Sequence, residues 1–155
     1  RRARDELIQT SRLIKHFPLP ASAHHEVREG RDVSNVAMVE QINNAIGAHG
    51  SWKLKLRVAM STGSSEIDPE KACKDDRCPF GRWIHGDTID SATRQGKPYQ
   101  VVRRLHAEFH ESAANVLRNA LSARKVEAEK VFTGEFTERS EKLVRALTKW
   151  KGELL

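Results

Sequence analysis

Apolar residues recur every three or four positions along three stretches of the chain, the spacing of helices that each bury one face. Val39, Ile42, Ile46, His49, Trp52, Leu56 and Met60 make the first stripe, and it predicts a helix from an N-cap at Ser34 or Asn35 to about Ser61. Val102, Leu105, Phe109, Ala113, Val116 and Ala120 make the second, over roughly Pro98 to Ala123. The third, Phe132, Phe136, Leu143, Leu147, Trp150 and Leu154, predicts a helix from about Val126 to Leu154. It runs through Gly134, which costs about 1 kcal/mol relative to Ala in a helix. Between the first two stripes, residues 62–96 hold Gly63, Pro69, Pro79, Gly81 and Gly86, so a long connection is expected, with short helical turns at most, around Pro79 to Ile84.

Upstream, Leu7, Ile8, Leu13, Ile14 and Phe17 form a looser stripe stopped by Pro18 and Pro20, and residues 21–34 are polar without apolar period. The expected organisation is the end of an upstream helix over 1–20, a linker over 21–34 and one domain over 35–155. Long stripes joined by one long and one short connection pack most simply as an all-α, antiparallel four-helix bundle. The fourth helix then comes from turns in the connection or from a second chain, and the uncovered part of each stripe predicts a homodimer.

Composition narrows the class. Of 155 residues, 31% are charged and 38% hydrophobic, with 5 Pro and 9 Gly, a balance that folds rather than staying disordered. No apolar run reaches the roughly 18 residues of a membrane helix, and no segment reads as a signal peptide. The chain opens on Arg1 rather than Met, as a piece of a longer protein does. A net charge of +6 raises nucleic acid as a partner, yet the Lys and Arg are scattered among Asp and Glu without an aromatic-basic platform, which argues against it. The two cysteines, Cys73 and Cys78, share one polar loop and are too few for a disulfide scaffold, so a reducing, cytoplasmic setting is expected.

The chemistry lies in the histidines. His106 and His110 stand one turn apart on one helix face and can reach a single ion. A metalloprotease helix reads H-E-x-x-H; here HAEFH places Glu108 one position late, and a hydrolase loses its base. An isolated HxxxH carries little weight, but His49 interrupts an apolar stripe, where an unpaired imidazole is costly, and Cys78 opens the tight segment CPFGRW. Three imidazoles and a thiolate form a closed tetrahedral set for zinc, whereas magnesium and calcium prefer oxygen, and a di-iron site needs helix-borne carboxylates that the core faces lack. Trp52, Phe80 and Trp83 read as packing around the turn, with Gly81 giving it a tight backbone; His85 reads as solvated, and His16, His24 and His25 fall in the tail and linker. Cys73 is either a resolving thiol for an oxidised Cys78 or an ordinary loop cysteine.

In that order and at those separations, AIGAHGSWKLKL, CPFGRWIHG and HAEFHESA resemble the chemoreceptor zinc-binding domain family, over about Val36 to Leu155. The resemblance implies His49, Cys78, His106 and His110 as Zn2+ ligands in a dimerising four-helix bundle. The front segment ELIQTSRLIKHFPLP looks like the closing part of a methyl-accepting chemoreceptor signalling domain, which would put the zinc domain at a receptor's C-terminus. Together they imply a non-enzymatic, cytoplasmic sensory domain that works through the chemotaxis kinase and coupling protein. Its input would be zinc itself or hypochlorous acid acting on a redox-sensing Cys78. The alternatives are a structural, zinc-stabilised dimerisation domain of a diguanylate cyclase or other signalling protein, and a zinc hydrolase, which a closed ligand set disfavours.

Overall fold

The computed structural model describes residues 20–155, with side-chain surroundings from Ser34 onward. The expectations for the upstream helix, for the signalling tail and for His16, His24 and His25 lie outside the described residues. Every regular element among the described residues is helical: α1 (Pro20–Thr62), α2 (Pro69–Ala72), α3 (Pro79–Ile84), α4 (Ser91–Gln95), α5 (Lys97–Leu121), α6 (Lys125–Val131), a π-helical turn (Phe132–Phe136) and α7 (Thr137–Leu154). The fold class is all-α. The chain divides between Ala37 and Met38, and the metal centre and the cleft described below lie in the unit Met38–Leu155.

The helix expected to start at Ser34 or Asn35 begins at Pro20 instead, and the backbone of residues 21–34 is helical. Pro20 suits a first helical position, where a missing N–H costs nothing, and the Ala, Glu and Arg that follow are good helix formers with Gly30 as the single breaker. Lack of an apolar stripe does not exclude a helical backbone. At the other end Gly63, at φ +70°, donates its N–H to Ala59 O (2.8 Å) and ends α1 in the left-handed conformation that glycine takes without strain.

The core follows the stripes. Ile42, Ala45, His49, Leu56 and Ala59 of α1 are buried, as are Val102, Leu105, Phe109, Ala113, Val116, Leu117 and Ala120 of α5 and Leu143, Leu147 and Trp150 of α7. Helix α5 is the hub, lying against α2, α4, α6, the π turn and α7. Each large apolar side chain on these faces contributes about 1.5–3 kcal/mol through burial. The single helix expected over Val126 to Leu154 is interrupted by the π turn, where Thr137 Oγ1 donates to Phe132 O (2.6 Å). The wider turn keeps the stacked rings of Phe132 and Phe136, 5.4 Å apart, buried together.

The connection after α1 is three short helices, each opened by a cap. Asp68 accepts from Glu70 N ahead of Pro69, Cys78 accepts from Gly81 N ahead of Pro79, and Asp90 accepts from Thr93 N. Only α3, Pro79–Ile84, was expected from the sequence; α2 and α4 are too short to show a period.

Candidate metal centre

His49 projects from the middle of α1, His106 and His110 from successive turns of α5, and Cys78 from the start of α3, and the four side chains converge. Their ligand atoms all lie within 4.8 Å of one another. His106 Nε2 is the centre of the group, 3.0 Å from His49 Nε2, 3.0 Å from His110 Nε2 and 3.3 Å from Cys78 Sγ. Donors bound tetrahedrally to one zinc stand about 3.3–3.6 Å apart, so three of these separations are already close to a zinc shell. Among the described residues no other cluster of His, Cys, Asp and Glu has such spacing, and no carboxylate belongs to this one.

Local structure explains why each donor is there. The Cys78 sulfur takes the place of a Ser or Asp cap, accepting from Gly81 N (3.2 Å). The turn closes only because residue 81 lacks a side chain: a Cβ there would lie 1.8 Å from Asp75 O. Phe80, buried at 3% exposure, then sets its ring edge-on to His106 with centroids 5.0 Å apart. From the other side Phe109 packs edge-on against His49 (5.0 Å), and Trp52 against His110 (6.0 Å). Trp83 stacks at a tilt on Trp150 (5.9 Å). The aromatic residues therefore pack, as expected. His85 stays out of the cluster and pairs with Asp75 (2.9 Å), and both cysteines are free thiols, Cys73 donating to Glu70 O (3.1 Å).

The hydrogen bonds behind the rings decide what the cluster can hold. Nδ1 of His49 donates to Ala45 O (2.7 Å), and Nδ1 of His110 donates to Ala72 O (3.0 Å). Each ring thereby keeps its proton on Nδ1 and turns a bare Nε2 lone pair inward, the orientation of a metal-binding histidine. His106 Nδ1 is buried without a partner. With its proton on Nδ1, His106 turns a lone pair toward those of His49 and His110 at 3.0 Å each, an arrangement that a cation among the three Nε2 atoms relieves. With its proton on Nε2, one N–H faces two acceptors and the bare Nδ1 is buried without a partner.

The electrostatics agree. Burial lowers the pKa of His49 to about 4 and that of His106 to about 2, and it lowers that of His110 as well, so all three rings are neutral near pH 7. Burial pushes the Cys78 thiol up, opposed by backbone N–H groups led by that of Gly81, while Asp75 adds to the rise. Three neutral imidazoles and a thiol that must lose one proton are a closed donor set of three nitrogens and one sulfur.

Residues 49–117 match the chemoreceptor zinc-binding domain family. All four clustered residues lie inside that span, the first of them at its first position, and Zn2+ is the cofactor of the site. The matched span is shorter than the Val36–Leu155 stretch that the sequence motifs suggested. No curated protein and no solved structure matches the chain. What sequence reasoning missed in this zinc-binding domain is the pair of carbonyls, Ala45 O and Ala72 O, that fix two of the rings. A backbone oxygen has no side-chain signature, although Ala45 stands one turn before His49 and could have been found by that spacing.

Proposed function

We propose that this chain is a sensory zinc domain of a bacterial chemoreceptor, non-enzymatic, cytoplasmic and homodimeric, in which Cys78 is the movable ligand. The supporting observation is the contrast in mounting: the three imidazoles are fully buried on long helices, whereas Cys78 is half-buried at the start of the six-residue helix α3. Bound zinc supplies a positive charge that stabilises the thiolate. Either a fall in free zinc or hypochlorous acid then acts first at Cys78; in the second case the sulfur is oxidised to a sulfenic acid and the oxidant is reduced to chloride. Release of the sulfur frees α3 while three imidazoles remain, and the change passes along α1 toward the upstream part, 1–20, through residues 21–34. In the full receptor the output reaches the chemotaxis kinase and coupling protein.

A four-helix bundle with a dimer interface fits the exposed apolar pair Leu54 and Val58, one turn apart on α1 at 68% and 50% exposure. Chromogenic detection of zinc released by a slight molar excess of hypochlorous acid tests the switch. Release from wild type that exceeds release from Cys78→Ala supports it, and equal release overturns it. The complete burial of the three rings favours one other reading, a purely structural zinc site in a dimerisation domain of a diguanylate cyclase or other signalling protein. That reading predicts zinc that neither oxidant nor physiological zinc depletion removes.

A further inference from the structure

A second concave surface lies beside the metal-bearing connection. It is a cleft of about 580 Å³ between α5 and the segment carrying Asp75 and His85, with Gln100, Arg103 and Arg104 along its α5 wall. Its floor is fixed, because Tyr99 is buried and donates its hydroxyl to Ile84 O (2.8 Å). That volume falls within the range of small-molecule sites.

The charge lining this cleft is unbalanced: three arginines and a histidine face one carboxylate. Some basic side chains on the helices meet acids, as Arg139 does with Glu135 at 2.7 Å, Lys142 with Glu138 at 2.9 Å and Arg118 with Glu70 at 3.4 Å. From Lys97 to Ala107 there is no Asp or Glu, and among the described residues no side-chain hydrogen bond or ion pair engages the guanidinium of Arg103 or Arg104. Arg94 also lines the cleft, its guanidinium held by the carbonyls of Ile89 and Gly86, so its position is set while its charge stays uncompensated. The single acid present, Asp75, is already engaged by His85. Two free guanidinium forks and one fixed guanidinium around a concave space match oxygen atoms that share negative charge.

We propose that this cleft binds a small, multiply charged oxyanion, a polycarboxylate or phosphate ester of metabolite size, between Arg103, Arg104 and His85. Its concavity favours a small molecule over a membrane surface. The site also touches the metal centre's machinery, since His85 is the C-cap of α3 and Cys78 its N-cap. An oxyanion that draws His85 from Asp75 shifts the helix that holds the sulfur, and by linkage zinc occupancy and anion affinity change one another. This coupling rests on the zinc reading above; the binding does not.

Calorimetry on the zinc-loaded chain tests it with tricarballylate and glucose 6-phosphate, probes chosen because they hold zinc weakly. The expected result is saturable binding of at least one probe at one site per chain, weakened about tenfold or more in Arg103→Ala/Arg104→Ala and unchanged in Lys149→Ala on α7. Which probe binds more tightly separates a carboxylate source from a phosphate one. Binding that survives the double arginine substitution, or no saturable binding of either probe, overturns the proposal. So does capture by phosphatidylserine vesicles that outcompetes both probes. Zinc content measured on the same samples keeps the two readings apart: anion binding by a chain that holds no zinc upholds the cleft and sinks the zinc site, and a zinc-loaded chain that ignores both probes does the reverse.

Discussion

Two connections join the main helices of this domain, and they are built on opposite plans. The one over residues 63–96 is long, is organised by three capped short helices, brings Cys78 to the histidine cluster and contains Gly81, where no side chain fits. The turn over 122–124 is the least that reverses the chain: Arg124 N reaches back to Asn119 O (2.9 Å), and Ala123 occupies a left-handed conformation, φ 60°, that glycine would hold more easily. In the first, Cys78, Phe80 and Gly81 are constrained by what they place beside His106. In the second, a non-glycine residue holds a left-handed conformation in a turn that brings no side chain to the metal cluster. Local optimisation therefore marks the functional connection, and a small unrelieved strain marks the passive one.

Metal removal should separate the two most. Zinc binding contributes about 10–16 kcal/mol in small zinc peptides, and here the ion would join α1, α3 and α5. Chelation is expected to raise amide hydrogen exchange across residues 63–96 by orders of magnitude while leaving the 122–124 turn nearly unchanged. Uniform loss of protection in both would erase the contrast.

Next comes Gly81→Ala. Its Cβ meets the Asp75 backbone at 1.8 Å, so α3 must move and carry Cys78 with it. A loss of about 3 kcal/mol or more in thermal or denaturant unfolding is expected, with zinc affinity lowered at least tenfold. His106→Ala should be as harmful to zinc, because its Nε2 neighbours all three other donors. A Gly81→Ala chain that binds zinc like wild type would mean that the sulfur is not held by this turn.

The pH response is smaller. In the chelated protein His49, lowered to about 4, and His106, lowered to about 2, refuse protons that the unfolded chain takes up near its ordinary 6.5. Stability is thus full above about pH 6.5 and falls as pH drops from there to about 4, His49 alone accounting for something on the order of 3 kcal/mol by the bottom of that window. Denaturant midpoints measured at pH 7.5, 6, 5 and 4 check this. A flat profile would place the rings in water rather than in the core. Zinc added at pH 7 should release about one proton per site, from Cys78, since the imidazoles are already neutral.

The four clustered residues were legible because their chemistry is carried by side chains at helical spacing. His106 and His110 follow from i, i+4, His49 from its place on an apolar stripe, and Cys78 from the Cys-Pro opening of a short helix. The helical class was legible for the same reason. What stayed hidden leaves no period in the side chains: α2 and α4 last about one turn, the π turn inserts one residue into a stripe that still reads as helical, and α1 extends to Pro20 without an apolar face. The basic cleft was hidden too, since its walls come from α5 and from a segment about 20 residues earlier that only the fold brings together.

The smallest expected effect is on the passive turn. A non-glycine residue in the left-handed region is strained by about 1–2 kcal/mol, and Ala123→Gly removes that strain while giving the unfolded chain more freedom, which takes back about 0.4–1 kcal/mol. The difference leaves roughly 0.5 kcal/mol of stabilisation, a rise of about 1–2 °C in Tm for a chain of this size, with zinc content and oxidant response unchanged. Its sign is what matters, because the same exchange of one methyl group runs opposite to Gly81→Ala: adding the methyl at 81 forces a backbone apart next to the metal, and deleting it at 123 relaxes one that positions nothing. If Ala123→Gly destabilised the domain or altered zinc binding, the turn would have to be carrying a contact of its own, and the division between an optimised connection and an indifferent one would fail.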